Sequence, residues 1–178
     1  ILIGYLLKPS DLANYGFSYK IIDMLITFWG LFMMVVYPQL ANIFNKNKKV
    51  LRKYILKLYL FAFLYGMLCI ISPLFLGNHL IRLLADSSYI QSNRIISLLS
   101  LMLPFLFINN INYFTFVLYD KYISLIKIYF FTFLINISIN VLFIPNYGLT
   151  APIYASLISE LIIFLLFYLN IKKLLTKP

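Results

Sequence analysis

Seven residues of this sequence place ionisable or amide chemistry inside or beside long apolar runs: Lys20, Asp23, Asn109, Asn112, Asn136, Asn140 and Glu160. Lys20, Asp23, Thr27 and Gly30 follow one another at steps of three, four and three, which sets them on one face of a helix. In that register Lys20 and Asp23 are able to pair. A cation steadied by a neighbouring acid suits an anionic substrate; the same pair at a membrane edge serves equally as an interfacial anchor. Asn109 and Asn112 share a face, with Asn110 alongside, and they follow Pro104, which is expected to kink its helix. Thr132, Asn136 and Asn140 recur every four residues. Amides in such positions offer hydrogen bonds to a polar cargo or to a neighbouring helix. Ala151, Ala155 and Ser159 form a ridge of small residues suited to close helix contact. Glu160 is the one acid deep in an apolar run. It reads as a proton or cation site, as a partner for Lys127 or Lys20, or as a neutral carboxyl bonded to a neighbour.

Other chemistry has little to stand on. The single histidine, His79, lies near the end of an apolar run, and no His/Cys/Asp/Glu grouping has metal-ligand spacing. No Ser/His/acid set is present, so the chain is not expected to be an enzyme, and no cofactor is expected. The lone Cys69 sits within an apolar run and reads as a small packed hydrophobe.

The elements that position these residues follow from composition. The chain is 63% hydrophobic and only 11% charged, with a mean hydropathy of +0.93, too little polar residue to clothe a water-soluble fold. The net charge of +10 does not indicate nucleic acid, because the basic residues form short clusters between apolar runs. Met24–Asn45, Leu58–Ile81, Ile95–Tyr119 and Ile128–Ser159 contain no Asp, Glu, Lys or Arg. The last is too long for one span and is divided by the turn-forming run Ile144-Pro145-Asn146-Tyr147-Gly148. The expected fold is therefore an all-α integral membrane protein, a multi-pass helical bundle. Its whole spans fall at about 18–42, 54–77, 94–119, 122–144 and 149–171. Residues 1–7 are too short to span and read as the last turns of a helix whose beginning is missing.

Eleven of the fifteen basic residues fall on one side of this arrangement: Lys46, Lys48, Lys49, Arg52, Lys53, Lys57, Lys121, Lys127, Lys172, Lys173 and Lys177. The other side holds Lys8, Lys20, Arg82 and Arg94. The richer side, with the C-terminus, is expected to be cytoplasmic. Lys49, Lys53 and Lys57 recur every four residues, so this connection is able to lie as a helix against anionic membrane lipids.

Three segments resemble a known family. The run Asn136-x-x-x-Asn140-x-x-x-Ile144-Pro145-Asn146-Tyr147-Gly148-Leu149-Thr150-Ala151-Pro152 resembles the pattern before the last helix of O-antigen and capsule flippases. These belong to the multidrug/oligosaccharidyl-lipid/polysaccharide exporter superfamily. Ile3-Gly4, followed by Leu12-Ala13-Asn14-Tyr15-Gly16-Phe17-Ser18-Tyr19-Lys20, resembles the join between the first two helices of that family's C-terminal half. Pro38-Gln39-Leu40 resembles the close of the next helix. Thr150-Ala151-Pro152 departs from the family's usual Gly-Ala-Ala. The resemblance implies a MATE-like six-helix lobe, here five whole spans plus the end of a sixth. Its partner would be an N-terminal bundle of the same protein lying outside this sequence, related by an axis normal to the membrane. It further implies a bacterial inner (cytoplasmic) membrane location and a cargo of polyprenyl-diphosphate-linked oligosaccharide. On that reading Lys20, steadied by Asp23, meets the diphosphate, and Asn109, Asn112, Asn136 and Asn140 offer hydrogen bonds to sugars. A drug/cation antiporter of the same superfamily, with Glu160 as the coupling-ion site, is the alternative. A membrane polysaccharide polymerase or acyltransferase is a more distant one.

Overall fold

The computed structural model describes residues 8–84 and 92–175. Residues 1–7, Lys177 and the side chains of His79, Arg82, Lys172 and Lys173 lie outside the described set. Among the described residues six helices follow in order: α1 (Pro9–Lys46), α2 (Lys48–Leu84), α3 (Ser92–Ser100), α4 (Leu103–Leu118), α5 (Tyr122–Tyr147) and α6 (Thr150–Leu175). There is no strand among the described residues. Four helices (α1, α2, α5 and α6) are long and apolar enough to cross a membrane, and α3 with α4 forms a fifth crossing bent by 43°. The chain is an all-α, multi-pass membrane bundle.

The spans expected at 18–42 and 54–77 lie inside longer helices. α1 has 38 residues and α2 has 37, so each, at about 1.5 Å per residue, outruns a hydrocarbon core of about 30 Å. A single residue separates them. Asn47 ends α1 by donating its backbone N–H to the Ile43 carbonyl at 2.8 Å. Its Oδ1 then starts α2 by accepting the backbone N–H groups of Lys49 (2.9 Å) and Val50 (3.2 Å). The basic cluster therefore occupies the first turns of α2, where Lys49, Arg52, Lys53 and Lys57 are exposed.

The third span, expected as one helix over 94–119, breaks just before Pro104. Proline has no N–H to give the Ser100 carbonyl, and its ring crowds that carbonyl. The preceding turn tightens, with Leu101 N–H on Leu98 O (3.3 Å) and Met102 N–H on Leu99 O (3.2 Å). The helix restarts with Pro104 in its first turn. The bend thus sits upstream of the proline expected to cause it. Here α2 and α4 cross closely: a Cβ placed on Gly66 would lie 2.6 Å from Pro104 Cα.

Short turns join the remaining helices. The turn expected over Ile144–Gly148 is narrower than its composition suggests. α5 carries Pro145 within its last turn and ends at Gly148, whose φ of 55° suits glycine, with Gly148 N–H on the Ile144 carbonyl at 2.9 Å. Packing follows the apolar stripes. α1 turns Ile22, Trp29, Met33, Val36 and Leu40 inward against α2, α3 and α4. Phe116, Leu125, Ile128, Ile163, Phe167 and Ile171 form a second core among α4, α5 and α6. The ridge residues Ala151, Ala155 and Ser159 are buried, Ser159 in contact with Asn136 of α5, and the α5–α6 contact is the most extensive among the described residues.

Candidate functional site

The proposed binding residues divide into two groups. The first lies on α1. Its buried stripe, from Ser18 through Leu40, turns Lys20, Asp23 and Thr27 to the opposite side, where all three are exposed. Gly30 continues this face, and among the described residues no other part of the bundle comes within 4 Å of where its Cβ would be. Lys20 and Asp23 form no ion pair among the described residues, although their spacing permits one. Tyr19, next to Lys20, stands within electrostatic reach of Asp23 and also of Glu160. The opposite side of α1 is tied down at its N-terminal end. Ser92 Oγ donates to Asn14 Oδ1 at 2.9 Å, and Ser18 Oγ donates to the Asn14 carbonyl at 2.7 Å and the Ser92 carbonyl at 3.2 Å. This latch fixes α3 to α1 and so fixes the direction in which the Lys20 face points. Asn14 stood within a resemblance segment, but nothing in its spacing marked a partner 78 residues away.

The second group forms a ladder through the α4–α5–α6 half. Asn140 Nδ2 donates to Asn136, to its carbonyl at 2.9 Å and its Oδ1 at 3.0 Å. Asn136 Nδ2 donates to Ser159 Oγ at 3.0 Å, and Ser159 Oγ donates to the Ala155 carbonyl at 2.7 Å. The next residue, Glu160, is joined to α4. Asn109 Nδ2 donates to Glu160 Oε2 at 2.8 Å and to the Glu160 carbonyl at 2.9 Å. Glu160 therefore engages a neighbouring amide, where Lys127 and Lys20 were also open as partners; both of those lysines are exposed. Its Cα stands about 15 Å along the axis of α6 from Thr150, well inside the span.

Asn112 shares a face with Asn109, as the three-residue spacing requires, but serves a different contact: its Oδ1 accepts the hydroxyl of Tyr59 from α2. Asn109 and Asn112 are each 3% exposed, so in this conformation they hold helices together rather than face a cargo. Tyr59 had no sequence signal, since a tyrosine in an apolar run reads as packing. Three amide oxygens along this half are buried with no donor among the described residues: Asn109 Oδ1, Asn110 Oδ1 and Asn140 Oδ1. A groove of about 530 Å³ opens beside the ladder where α4 and α5 pack only lightly, lined by Tyr113, Tyr122, Tyr129 and Phe133 among others. Tyr129 is within electrostatic reach of Glu160. No group of three or more His, Cys, Asp or Glu converges among the described residues.

The site thus consists of an exposed charged face on α1 and an amide–carboxyl ladder across α4, α5 and α6, buried at Asn109 and Ser159 and half-buried at Asn136, Asn140 and Glu160. Comparison with protein-family models, with curated proteins and with solved structures gives no match for this chain.

Proposed function

We propose that this chain is one lobe of a membrane flippase that moves polyprenyl-diphosphate-linked oligosaccharide repeat units across a bacterial cytoplasmic membrane, with its basic ends and C-terminus on the cytoplasmic side. The observation that carries the reading is the α1 face. Lys20, Asp23 and Thr27 are exposed on a helix that is otherwise apolar enough to lie in lipid. A charged pair left facing hydrocarbon is costly, so this face is at home against water or a polar partner. A central wet cavity between this lobe and a second one supplies both. The cargo needs the same thing: its hydroxyls and diphosphate cannot cross hydrocarbon unaided. Lys20 then meets the diphosphate, with Asp23 one turn away on the same exposed face and within the spacing at which it can pair with the ammonium. The three sequence segments that resemble polysaccharide flippases lead to the same cargo.

The experiment is Lys20→Ala in the intact protein. Loss of one charge-assisted contact to phosphate lowers cell-surface polysaccharide by about tenfold at unchanged protein level. Unaltered export removes Lys20 from the mechanism. The antiporter alternative makes the opposite forecast: drug resistance that depends on Glu160, with surface polysaccharide indifferent to Lys20.

A further inference from the structure

The Asn109–Glu160 contact has an imbalance of hydrogen-bonding groups that points to a ligand. Asn109 is almost fully buried, and its Nδ2 spends both protons on Glu160, one on Oε2 at 2.8 Å and one on the backbone carbonyl at 2.9 Å. Its Oδ1 is buried too and receives no donor among the described residues. A buried amide oxygen without a donor is costly, and an ionised carboxylate beside it, being acceptor-only, cannot relieve it. A carboxylic acid relieves it at once. The amide and the acid then form a closed ring, with Nδ2–H on Oε2 and Oε1–H on Oδ1. One added proton satisfies both groups.

Among the described residues nothing donates to Asn109 Oδ1. No lysine or arginine lies within ion-pair distance of Glu160 among the described residues. From α5 Tyr129 is within electrostatic reach of Glu160, and from α1 so is Tyr19, itself within reach of Asp23. α4 presents amides here, Asn109 and Asn110; the Tyr59 hydroxyl of α2 is taken by Asn112; Arg94 of α3 is exposed. A metal ion suits the site poorly, because an amide N–H, not an oxygen, points at the carboxyl.

We infer that Asn109 and Glu160 form a proton-binding site within the membrane span, closed while α4 and α6 are in contact and emptied when they part. In the emptying step the carboxyl O–H breaks, the proton passes to a water entering between the helices, and the carboxylate stays on α6. The inference concerns the proton alone and holds whatever cargo the protein carries.

Infrared difference spectroscopy of the intact protein in lipid, stepped from mildly acidic to mildly alkaline buffer, reads this proton directly. A buried protonated-carboxyl C=O band is expected at neutral pH. It shifts on 13C-glutamate labelling and is lost in Glu160→Gln. Glutamine rebuilds the ring, its own N–H meeting Asn109 Oδ1, so Glu160→Gln is expected to fold and melt like the parent. Asn109→Leu moves the band's frequency and the pH at which it titrates. No labelled band in the parent, a band that survives Glu160→Gln, or one indifferent to Asn109→Leu overturns the site. Should Glu160→Gln fold poorly, the isotope shift in the unmutated protein still decides. Export of polysaccharide is a separate readout, so failure here and failure of the cargo assignment are told apart.

Discussion

Around Trp29 and around Glu160 the same bundle is held together by opposite means. Trp29, 2% exposed, packs its indole against Phe107 at 4.8 Å, Phe32 at 5.2 Å, Tyr65 at 5.9 Å and Phe61 at 6.0 Å between ring centroids, joining α1, α2 and α4. These contacts are neutral and broad in geometry. Around Glu160 the contacts are directional, each with a fixed donor and acceptor, and they leave oxygens over. In lipid, apolar surface gains little by meeting other apolar surface, so helices associate through close packing and hydrogen bonds. The aromatic half uses the first and the ladder half uses the second. Only the ladder changes its bonding when a proton comes or goes, and it lies where α5 and α6 pack against the rest through α6. The contrast suggests a rigid half and a responsive half.

The sharpest break in the rigid half is Gly66→Leu. A side chain there meets Pro104 backbone, which cannot give way as a flexible side chain would. Overpacking of this kind costs about 3 kcal/mol, and folded protein is expected to be lost from membrane fractions. Trp29→Ala comes next, opening a cavity among four rings at a cost of about 3 kcal/mol or somewhat less in lipid. The protein should still assemble, with a melting temperature clearly lowered in detergent. In the responsive half, Asn136→Leu removes the bond to Ser159 and one of the two bonds from Asn140, which keeps the residue-136 backbone carbonyl, for about 1 kcal/mol. Tyr59→Phe, which deletes the bond to Asn112 and keeps the ring, is expected to cost about 0.6 kcal/mol. Were Asn136→Leu to exceed Trp29→Ala in thermal melting, the division into halves would have to be redrawn.

How much of this was legible in sequence depends on the range of each interaction. Absence of charge over 20 or more residues is a one-dimensional signal, and it is enough to give the all-α, multi-pass class. Periodicity is nearly so: steps of four put Asn136 and Asn140 on one face, where Asn140 bonds Asn136 and Asn136 reaches Ser159 of α6. The spacing of Ala151, Ala155 and Ser159 likewise foretold a close contact, now seen between α5 and α6. What the pattern lacks is the partner. Asn109 and Glu160 are 51 residues apart, and Ser92 and Asn14 are 78. A charge invites a search for the opposite charge, which for Glu160 points to Lys127 and Lys20, whereas a lone half-buried carboxyl favours a neutral donor. The bend before Pro104 shows a smaller effect, because proline disturbs the turn behind it rather than its own position.

The central claim is that the Lys20–Asp23–Thr27 face of α1 is wet in the working protein while its neighbouring face meets lipid. Thr27 and Phe28 test it at nearly equal depth, since they are one residue apart, are both exposed in the chain, and differ in direction by about 100° around the helix. In the intact protein, with Cys69 and any other native cysteine replaced, Thr27→Cys and Phe28→Cys are each treated with a water-soluble maleimide in sealed membranes. Labelling of Thr27→Cys several-fold faster than Phe28→Cys is the predicted result. Equal labelling, or faster labelling of Phe28→Cys, would contradict the account.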